Sequence, residues 1–138
     1  MRNALSDAGV STDQVDYVCA HGTGTKLNDT TELAALRQVI GGKLPPISSV
    51  KSMIGHTLGA AGALGAIACL IGMTEHFLPP TINWNCVDPE CGEHDFVTDG
   101  ARTASPNVIM NNSFGVGGNN AILIFGRESW REQQAEIA

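Results

Sequence analysis

The sequence is poor in aromatic and in basic residues. Only 5% of its 138 residues are aromatic, so aliphatic and small side chains must form the core. Eight Lys and Arg residues stand against 14 Asp and Glu residues, which gives a formal net charge of -6. Proteins that bind nucleic acids or anionic membrane surfaces need clustered basic side chains. The composition therefore argues against both kinds of partner.

The sequence also lacks a long, strongly apolar segment. Its first seven residues contain no apolar stretch that could serve as a secretory signal, so we expect a cytoplasmic protein with reduced cysteines. Residues 58–73 carry no charge, but many of them are Gly and Ala, whereas a membrane span needs about 20 strongly apolar residues. We predict a buried helix here and no membrane span. The length allows one domain or a part of one.

The order of the predicted elements is typical of an α/β fold. Helices are predicted at 3–8 and 58–73, and a third is predicted to begin at a cap formed by Asp29 or Thr30 and to end at residues 41–42. Strands are predicted at 17–20, 47–50, 107–112 and 121–125. Helices that alternate with apolar strands form layers on a largely buried sheet. Residues 79–92 show no period and predict an irregular loop, and residues 128–138 predict a frayed polar helix.

The predicted helix at 58–73 has one face of small residues, namely Gly59, Gly62, Gly65, Cys69 and Gly72, while Leu64, Ile67 and Ile71 lie on a different face. Each interior Gly costs about 1 kcal/mol relative to Ala. Close packing against a sheet or another helix is expected to offset that cost. Lys51 follows a predicted strand and His56 stands just before this helix, so we expect both side chains to point into one cleft.

Two histidines occupy comparable places in the pattern. His21 follows a strand and precedes a loop of small residues, and His56 stands at the start of a helix. Two neutral imidazoles that converge can donate hydrogen bonds to a carbonyl oxygen that becomes an enolate. Lys51 could orient one of them or shift its pKa. Without further context, each histidine is more readily explained as a packing residue.

Three sequence blocks around these residues resemble those of a known family. They are 20–32, which begins Ala-His-Gly-Thr-Gly-Thr and ends Asn-Asp-Thr-Thr-Glu, then Val-Lys-Ser-Met-Ile-Gly-His at 50–56, and Asn-Ser-Phe-Gly-Val-Gly-Gly-Asn-Asn-Ala at 112–121. In order and spacing, from residue 8 to about 127, they resemble the C-terminal half of the β-ketoacyl-acyl-carrier-protein synthases. We therefore expect a partial C-terminal synthase domain at 1–127 and a polar tail at 128–138.

The resemblance implies a thiolase-like fold, of which this chain would be one partial half with a mixed sheet layered against helices. It also implies an acyltransferase that joins an acyl thioester to malonyl-acyl carrier protein by decarboxylative Claisen condensation, in fatty-acid or polyketide synthesis, without a cofactor or a metal. The partners it implies are acyl carrier protein, its acyl and malonyl thioesters, the N-terminal half of the synthase and, in the complete enzyme, a second copy.

The resemblance also implies roles for individual residues. His21 and His56 would be catalytic histidines that hold the thioester oxygen, and Lys51 would support them electrostatically. The supporting positions are Glu32 in the same polar network, Phe114 as a gating aromatic, Thr23, Thr25, Gly115 and Gly117. Val116 replaces the second aromatic residue usual in the family, and Asn119 replaces the usual Thr. Both departures concern the shape of the acyl pocket.

The nucleophile of the family has no counterpart in this sequence. In the family it is a Cys that opens a helix in the N-terminal half. Cys19 shares a strand face with His21 but lacks the helix N-terminus that lowers a thiol pKa, so we predict a packing thiol. The chain would then hold half of an active site. The alternative is a non-catalytic fragment or a structural partner subunit of a condensing-enzyme heterodimer.

Two other patterns, one for a zinc site and one for a dinucleotide-binding site, are incomplete. Cys86, Cys91 and His94 lack a fourth ligand at the spacing of zinc sites, so we predict no metal site. The segment from Gly115 to Gly117 lacks the third glycine and the following helix of a dinucleotide-binding motif. We therefore expect no bound cofactor.

Overall fold

The computed structural model describes residues 1–130 and residue 132. Its helices are α1 (Arg2–Ala8), α2 (Lys26–Ile40), α3 (Lys51–Ile54) and α4 (Ala61–Thr74), with short 3-10 helices at Thr12–Gln14 and Leu58–Ala60. Its strands are β1 (Tyr17–Cys19), β2 (Ile47–Ser48), β3 (Phe77–Leu78), β4 (Arg102–Thr103), β5 (Val108–Gly115) and β6 (Asn119–Gly126). Residues 128–130 are helical, and most of the predicted polar tail lies outside the described residues.

The main sheet is mixed and has the strand order β2-β1-β5-β6. Strand β1 pairs in parallel with β2 and β5, and β6 pairs with β5 in the antiparallel sense. Val18 lies between Ile47 and Met110, so β1 is an interior strand and all three of its residues are buried. Strands β3 and β4 form a separate antiparallel pair. The predicted α/β architecture with a mixed sheet is confirmed.

Two hydrophobic cores cover the two faces of this sheet. On one face, Val18 and Met110 pack with residues of α1 and α2 such as Leu5 and Leu36. On the other face, Tyr17, Cys19 and Ile109 pack with Cys69 and Met73 of α4. Successive strand residues point to opposite faces, so the short apolar strand β1 contributes to both cores. The result is a three-layer arrangement of helices, sheet and helix.

Helix α4 packs through its small residues, as predicted. A Cβ atom on Gly65 would lie 2.8 Å from Oδ1 of Asn111 in β5, and one on Gly72 would lie 2.6 Å from the carbonyl oxygen of Phe77. At Gly72 the nearby atom belongs to the backbone, so only glycine permits this approach. The prediction that the helix is buried is wrong for its other face, because Ile67 and Ile71 are about half exposed. In the part of the chain that the structure describes, no helix is long and apolar enough to span a membrane.

The predicted start of α2 is wrong. The helix begins at Lys26, after Thr25, whose φ of -104° and ψ of 137° are those of an N-cap residue without a side-chain capping bond. Asp29 therefore lies within the first turn, and Thr30 donates its hydroxyl hydrogen back to the Lys26 carbonyl oxygen. The sequence prediction relied on the capping preference of these side chains. Glu32 consequently lies in the second turn, on the buried side.

Two other boundaries differ from the prediction. The short helix α3, which was not predicted, separates β2 from His56, so Lys51 begins a helix instead of ending a strand. Strand β5 continues through Gly115, so Phe114 lies in the strand and the turn occupies residues 116–118. Pairing with β6 extends β5 this far, because Phe114 lies opposite Asn120 and Gly115 opposite Asn119.

Candidate active site

The predicted site residues converge because three parallel strands end at the same edge of the sheet. His21 lies two residues after β1, and Lys51 lies three residues after β2. Phe114 occupies the carboxyl-terminal end of β5. Side chains that follow neighbouring parallel strands meet in the crevice at their carboxyl ends. This topology explains how residues almost 100 positions apart in sequence form one site.

The two histidine rings are in contact. The imidazole of His21 lies edge-on to that of His56, with ring centroids 5.4 Å apart and an interplanar angle of 84°. The ring of Phe114 lies on His21 with a centroid distance of 5.7 Å. His21 is buried, whereas His56 is exposed. The sequence prediction that His21 and His56 converge is therefore correct, and Phe114 packs directly against the pair.

A backbone hydrogen bond fixes the tautomer of His56. The amide N–H of Leu58 donates to Nδ1 of His56 over 3.1 Å. In a neutral imidazole one nitrogen accepts and the other carries the proton, so Nε2 of His56 is the donor. Leu58 has a φ of 51°, a left-handed conformation that costs a leucine about 1 kcal/mol. The chain thus maintains an uncommon backbone conformation at the residue that orients His56.

His21 is held in its neutral form. Burial lowers the pKa of its imidazole, and the nearby charges of Lys51 and His56 lower it further, against a smaller opposing effect of Asp29. Its Nδ1 atom is buried and has no hydrogen-bond partner among the described residues. A histidine whose pKa lies below its ordinary value near 6.5 is uncharged at neutral pH. The site therefore offers a neutral imidazole here.

The carboxylate of Glu32 clamps the backbone of His21. Oε1 accepts the amide hydrogen of His21 over 3.0 Å and that of the Asn112 side chain over 3.0 Å. Oε2 accepts the amide hydrogen of Gly22 over 2.9 Å. Burial raises the pKa of Glu32, and these hydrogen bonds oppose the rise. Glu32 thus lies in the same polar network as His21, and Asn112 is a network member that the sequence analysis missed.

The loop after His21 needs glycine at one position. Gly22 has a φ of 38°, and a Cβ atom there would lie 2.5 Å from Cβ of Ser49. The Ser49 hydroxyl donates to the Gly22 carbonyl oxygen over 2.7 Å. Further along, the hydroxyl oxygens of Thr23 and Thr25 are 2.9 Å apart. Glu32 and Ser49 together fix both polar groups of the Gly22 backbone.

Lys51 and His56 both line one cavity of about 500 Å³, as the sequence analysis expected. Lys51 is half-buried, and burial lowers the pKa of its ammonium group, whereas the charges of Cys19 and Glu32 oppose this effect. Most of the remaining wall is apolar or aromatic, and its members include Leu33, Leu36, Ile47, Ile82, Trp84 and Phe96. Thr23 and Glu32 also line it. Its size lies within the range of small-molecule sites, about 300–1,000 Å³.

The two remaining predicted site residues, Gly115 and Gly117, lie in the hairpin that joins β5 to β6. Gly115 ends β5, and its carbonyl oxygen accepts the amide hydrogen of Gly118 over 3.3 Å. Gly117 has a φ of 89°, which glycine adopts without strain. The side chain of Val116 is fully exposed at the tip of the turn. The hairpin therefore begins directly after Phe114.

The cysteines differ in their access to the site. Cys19 is 1% exposed and packs against the equally buried Cys69. A hydrogen bond with Cys69 lowers the pKa of the Cys19 thiol against the effect of burial, and the same contact raises that of Cys69. The predicted packing role agrees with this burial, although the direction of the pKa shift was not foreseen. Cys86, by contrast, is exposed and lines the cavity that contains His56, which the sequence analysis overlooked.

The residues of the rival zinc pattern do not form a metal site. Among the residues that the structure describes, no group of three or more His, Cys, Asp and Glu side chains is arranged to hold a metal ion. His94 instead accepts hydrogen bonds from Arg37. Cys91 is buried in the core beside α2.

The chain resembles known proteins along most of its length. Residues 1–85 match the family model described as the C-terminal domain of beta-ketoacyl synthase. Nodulation protein E of Rhizobium sp. (strain N33) is 46% identical over 127 residues, which are 91% of this chain and 31% of that protein. The 3-oxoacyl-[acyl-carrier-protein] synthase 2 of Coxiella burnetii is 43% identical over 130 residues, 92% of this chain and 31% of that protein.

A solved structure shows the same fold. The ishigamide ketosynthase/chain length factor superposes with a TM-score of 0.87 at 50% identity, over 91% of this chain and 31% of that chain. The fold is therefore the thiolase-like α/β fold of ketosynthases. The chain belongs to the β-ketoacyl synthase family and corresponds to its C-terminal domain. It spans about a third of the length of the curated relatives it matches. The boundary at residue 127 stays a prediction.

Proposed function

We propose that this chain carries the histidine half of the active site of a condensing enzyme. The reaction would join an acyl thioester to malonyl-acyl carrier protein with loss of carbon dioxide. The observation that carries this proposal is the contact between two imidazoles whose ring centroids lie 5.4 Å apart, with Nε2 of His56 carrying a proton. Because decarboxylation leaves an enolate, two converging N–H donors would stabilise the charge that develops on the thioester oxygen.

In this proposal the other site residues act on the two histidines. Burial lowers the pKa of His21 and the positive charge of Lys51 lowers it further, while Glu32 holds the backbone of His21 in place. Phe114 packs on His21 and would gate the acyl chain. Thr23 and Thr25 lie on the loop after His21, while Gly115 and Gly117 give the neighbouring hairpin its turn.

The remaining components come from outside this chain. The acyl-accepting cysteine would lie in the N-terminal half of the synthase, since Cys19 is buried. The partner proteins would be acyl carrier protein and, in the complete enzyme, a second copy. One relative is named as acting with acyl carrier protein, which supports that choice of partner. A cytoplasmic location stays a prediction.

The alternative is a structural subunit that does not catalyse. A structure similar to this chain is titled a ketosynthase/chain length factor, so related domains occur in such pairs. The exposed apolar residues of α4 would suit a subunit interface equally well. The contact of His21 with His56, together with the charge of Lys51 close to His21, favours the catalytic half, because a scaffold needs neither imidazole.

The test supplies the missing part. We would fuse the chain to the N-terminal two thirds of the Coxiella burnetii relative and measure carbon dioxide release from malonyl-acyl carrier protein. His21→Ala and His56→Ala should each lower the rate about a hundredfold or more, since one lost donor to an oxyanion costs about 3 kcal/mol. His76→Ala, at an exposed histidine outside the site, is the control and should keep the rate. Full activity of both site variants would show that the histidines are packing residues. A fusion that folds but is inactive would favour the structural subunit.

A further inference from the structure

Residues 83–94 form part of the wall of the cavity that contains Lys51 and His56, and we call this segment the flap. Among its residues, Asn83, Trp84, Cys86, Asp88 and Cys91 line the cavity. The chain is firmly held on both sides of the flap. The amide of Ile82 donates to the Ser52 hydroxyl oxygen over 2.9 Å, and Asp95 and Val97 bond to the backbone of Ile47 over 2.9 and 3.0 Å. Any opening of the cavity on this side would therefore involve the flap alone.

Two cationic side chains of α2 hold the flap. Lys26 pairs with Glu90 at 2.7 Å, but both side chains are more than half exposed, so water screens the pair and it contributes little. Arg37 makes the more extensive contact. Its Nε lies 3.0 Å and its Nη2 2.9 Å from Nε2 of His94, and Nη2 also donates to the Cys91 carbonyl oxygen. Arg37 is thus the principal polar contact between the helix and the flap, beside the apolar contact that the buried Cys91 makes in the core.

The Arg37 contact requires an unprotonated His94. A guanidinium group has only donors and is always charged, so Nε2 of His94 must accept. A second proton on the ring would turn Nε2 into a donor and place two cations about 3 Å apart. The neutral imidazole therefore keeps the flap attached to Arg37, whereas the protonated imidazole is repelled by Arg37.

Within the described part of the chain, no carboxylate pairs with His94 to compensate for the added charge. Asp95 is paired with Arg102 at 2.8 Å, and Glu90 is paired with Lys26. The Asp88 carboxylate accepts the amide hydrogen of Glu90, and Glu93 is exposed to solvent. The other group against the imidazole is the ring of Phe96, with a centroid distance of 5.9 Å. Among the described residues, His94 makes no ion pair.

We propose that the contact between Arg37 and His94 is a pH-sensitive latch that closes the flap over the cavity at neutral pH and releases it on acidification. Release would alter the wall of the cavity that Lys51 and His56 line, and so would regulate access to it. The latch depends on the geometry of α2 and the flap, and not on the proposed condensation activity.

The direction of the pH effect follows from linkage. Burial and then the charge of Arg37 lower the pKa of His94 in the closed state, against a smaller opposing effect of the Cys91 backbone. In the open state the imidazole regains its ordinary pKa near 6.5. The open state therefore binds the proton more readily, and the flap opens as the pH falls below about 6.5. Between pH 7.5 and 5.5 its opening constant should rise by up to about tenfold.

Hydrogen–deuterium exchange with mass spectrometry on the 138-residue chain tests the latch. We expect flap peptides, after correction for the intrinsic pH dependence of exchange, to lose protection between pH 7.5 and 5.5, while peptides from β5 and β6 do not. His94→Gln keeps an acceptor oxygen for Arg37 but cannot titrate, so its flap should show no pH dependence. Lys26→Gln is the matched control, because it removes the other tie and should leave the pH dependence intact.

Two results would overturn the proposal. The first is a flap in the wild-type chain whose corrected exchange does not change with pH, or changes equally in His94→Gln. The second needs no variant: deuterium exchange at the C2 position of His94, followed by mass spectrometry over a pH series, gives the pKa of this residue alone. A value clearly below 6.5 is expected, and a value at or above 6.5 would show that Arg37 does not disfavour its protonation.

Discussion

The imidazole of His21 lies edge-on against that of His56, with ring centroids 5.4 Å apart. This contact joins a buried residue after β1 to an exposed residue before α4. Neighbouring residues fix both histidines: Leu58 fixes the tautomer of His56, and Glu32 fixes the backbone of His21. The site is therefore a pair of oriented imidazoles, of which His56 faces solvent.

Lys51 should depress the pKa of His21. Burial lowers this pKa first and the charge of Lys51 second, so Lys51→Met should raise it toward the ordinary value near 6.5. Lys26→Met removes an exposed lysine that pairs with Glu90 and should leave the value unchanged. Exchange at the C2 position of His21, read by mass spectrometry over a pH series, measures the shift. An unchanged value in Lys51→Met would remove Lys51 from the electrostatics of the site.

The same shift has a defined effect on stability. Because the folded-state pKa of His21 lies below that of the unfolded chain, the unfolded state binds this proton more readily. The contribution of neutral His21 is therefore complete above pH 6.5 and is lost as the pH falls below 6.5 toward the folded-state pKa. Replacing His21 by Gln should flatten the stability profile in that interval.

Glycine at position 72 should be essential for the packing of α4. A Cβ atom there would lie 2.6 Å from the Phe77 carbonyl oxygen, which is backbone and cannot move cheaply. Gly72→Ala should lower the free energy of unfolding by about 1–3 kcal/mol. Gly59→Ala is the matched control, because a Cβ atom at Gly59 meets nothing within 4 Å and should change stability by less than about 0.5 kcal/mol. Urea unfolding at one fixed protein concentration compares the two, and equal effects would contradict the packing described for this helix.

The helical periodicity and apolar strands of the sequence were sufficient to predict the architecture. The small-residue face of α4 and the buried strand β1 are local patterns, so their types and approximate bounds followed directly. Lys51 and His56 were expected in one cleft because Lys51 follows a strand and His56 precedes a helix, and both residues line one cavity. Recognition of three sequence blocks then indicated the family, which the similarity to β-ketoacyl synthases confirms.

Contacts between distant residues could not be predicted in the same way. Asn112 and Glu32 are 80 positions apart, and only the pairing of β1 with β5 brings them together. Two adjacent asparagines directly after the apolar residues 108–110 were the available signal, because a buried amide needs a partner. The left-handed backbone of Leu58 has no sequence signature, since leucine rarely adopts it. Cys86 lies in an aperiodic loop whose path was not predictable.

The exposed apolar residues of α4 should make the isolated chain self-associate. Ile67, Leu70 and Ile71 are each about half exposed on a helix without charged residues, and Leu58 at 78% exposure lies close by in the chain. Monomeric proteins rarely expose contiguous apolar patches larger than a few hundred Å². We expect the purified chain to form oligomers, to bind a hydrophobic dye or to stay insoluble, in size-exclusion chromatography with light scattering.

A variant separates this surface from general instability. Replacing both Ile67 and Ile71 by Glu should reduce dye binding and oligomer size without a loss of folded structure, because neither side chain is buried. A dilute, dye-negative wild-type monomer with a cooperative melt would mean that the chain forms a complete domain.

The central claim is that this chain holds the histidines of a condensing site and not its nucleophile. Intact-mass spectrometry after incubation with acyl-acyl carrier protein tests it most directly, with the chain alone and with the chain fused to the N-terminal part of a relative. We predict no acyl adduct on the isolated chain and one acyl group on the fusion, located by peptide mapping in the added part. A stoichiometric acyl adduct on Cys19 or Cys86 of the isolated chain would contradict the account.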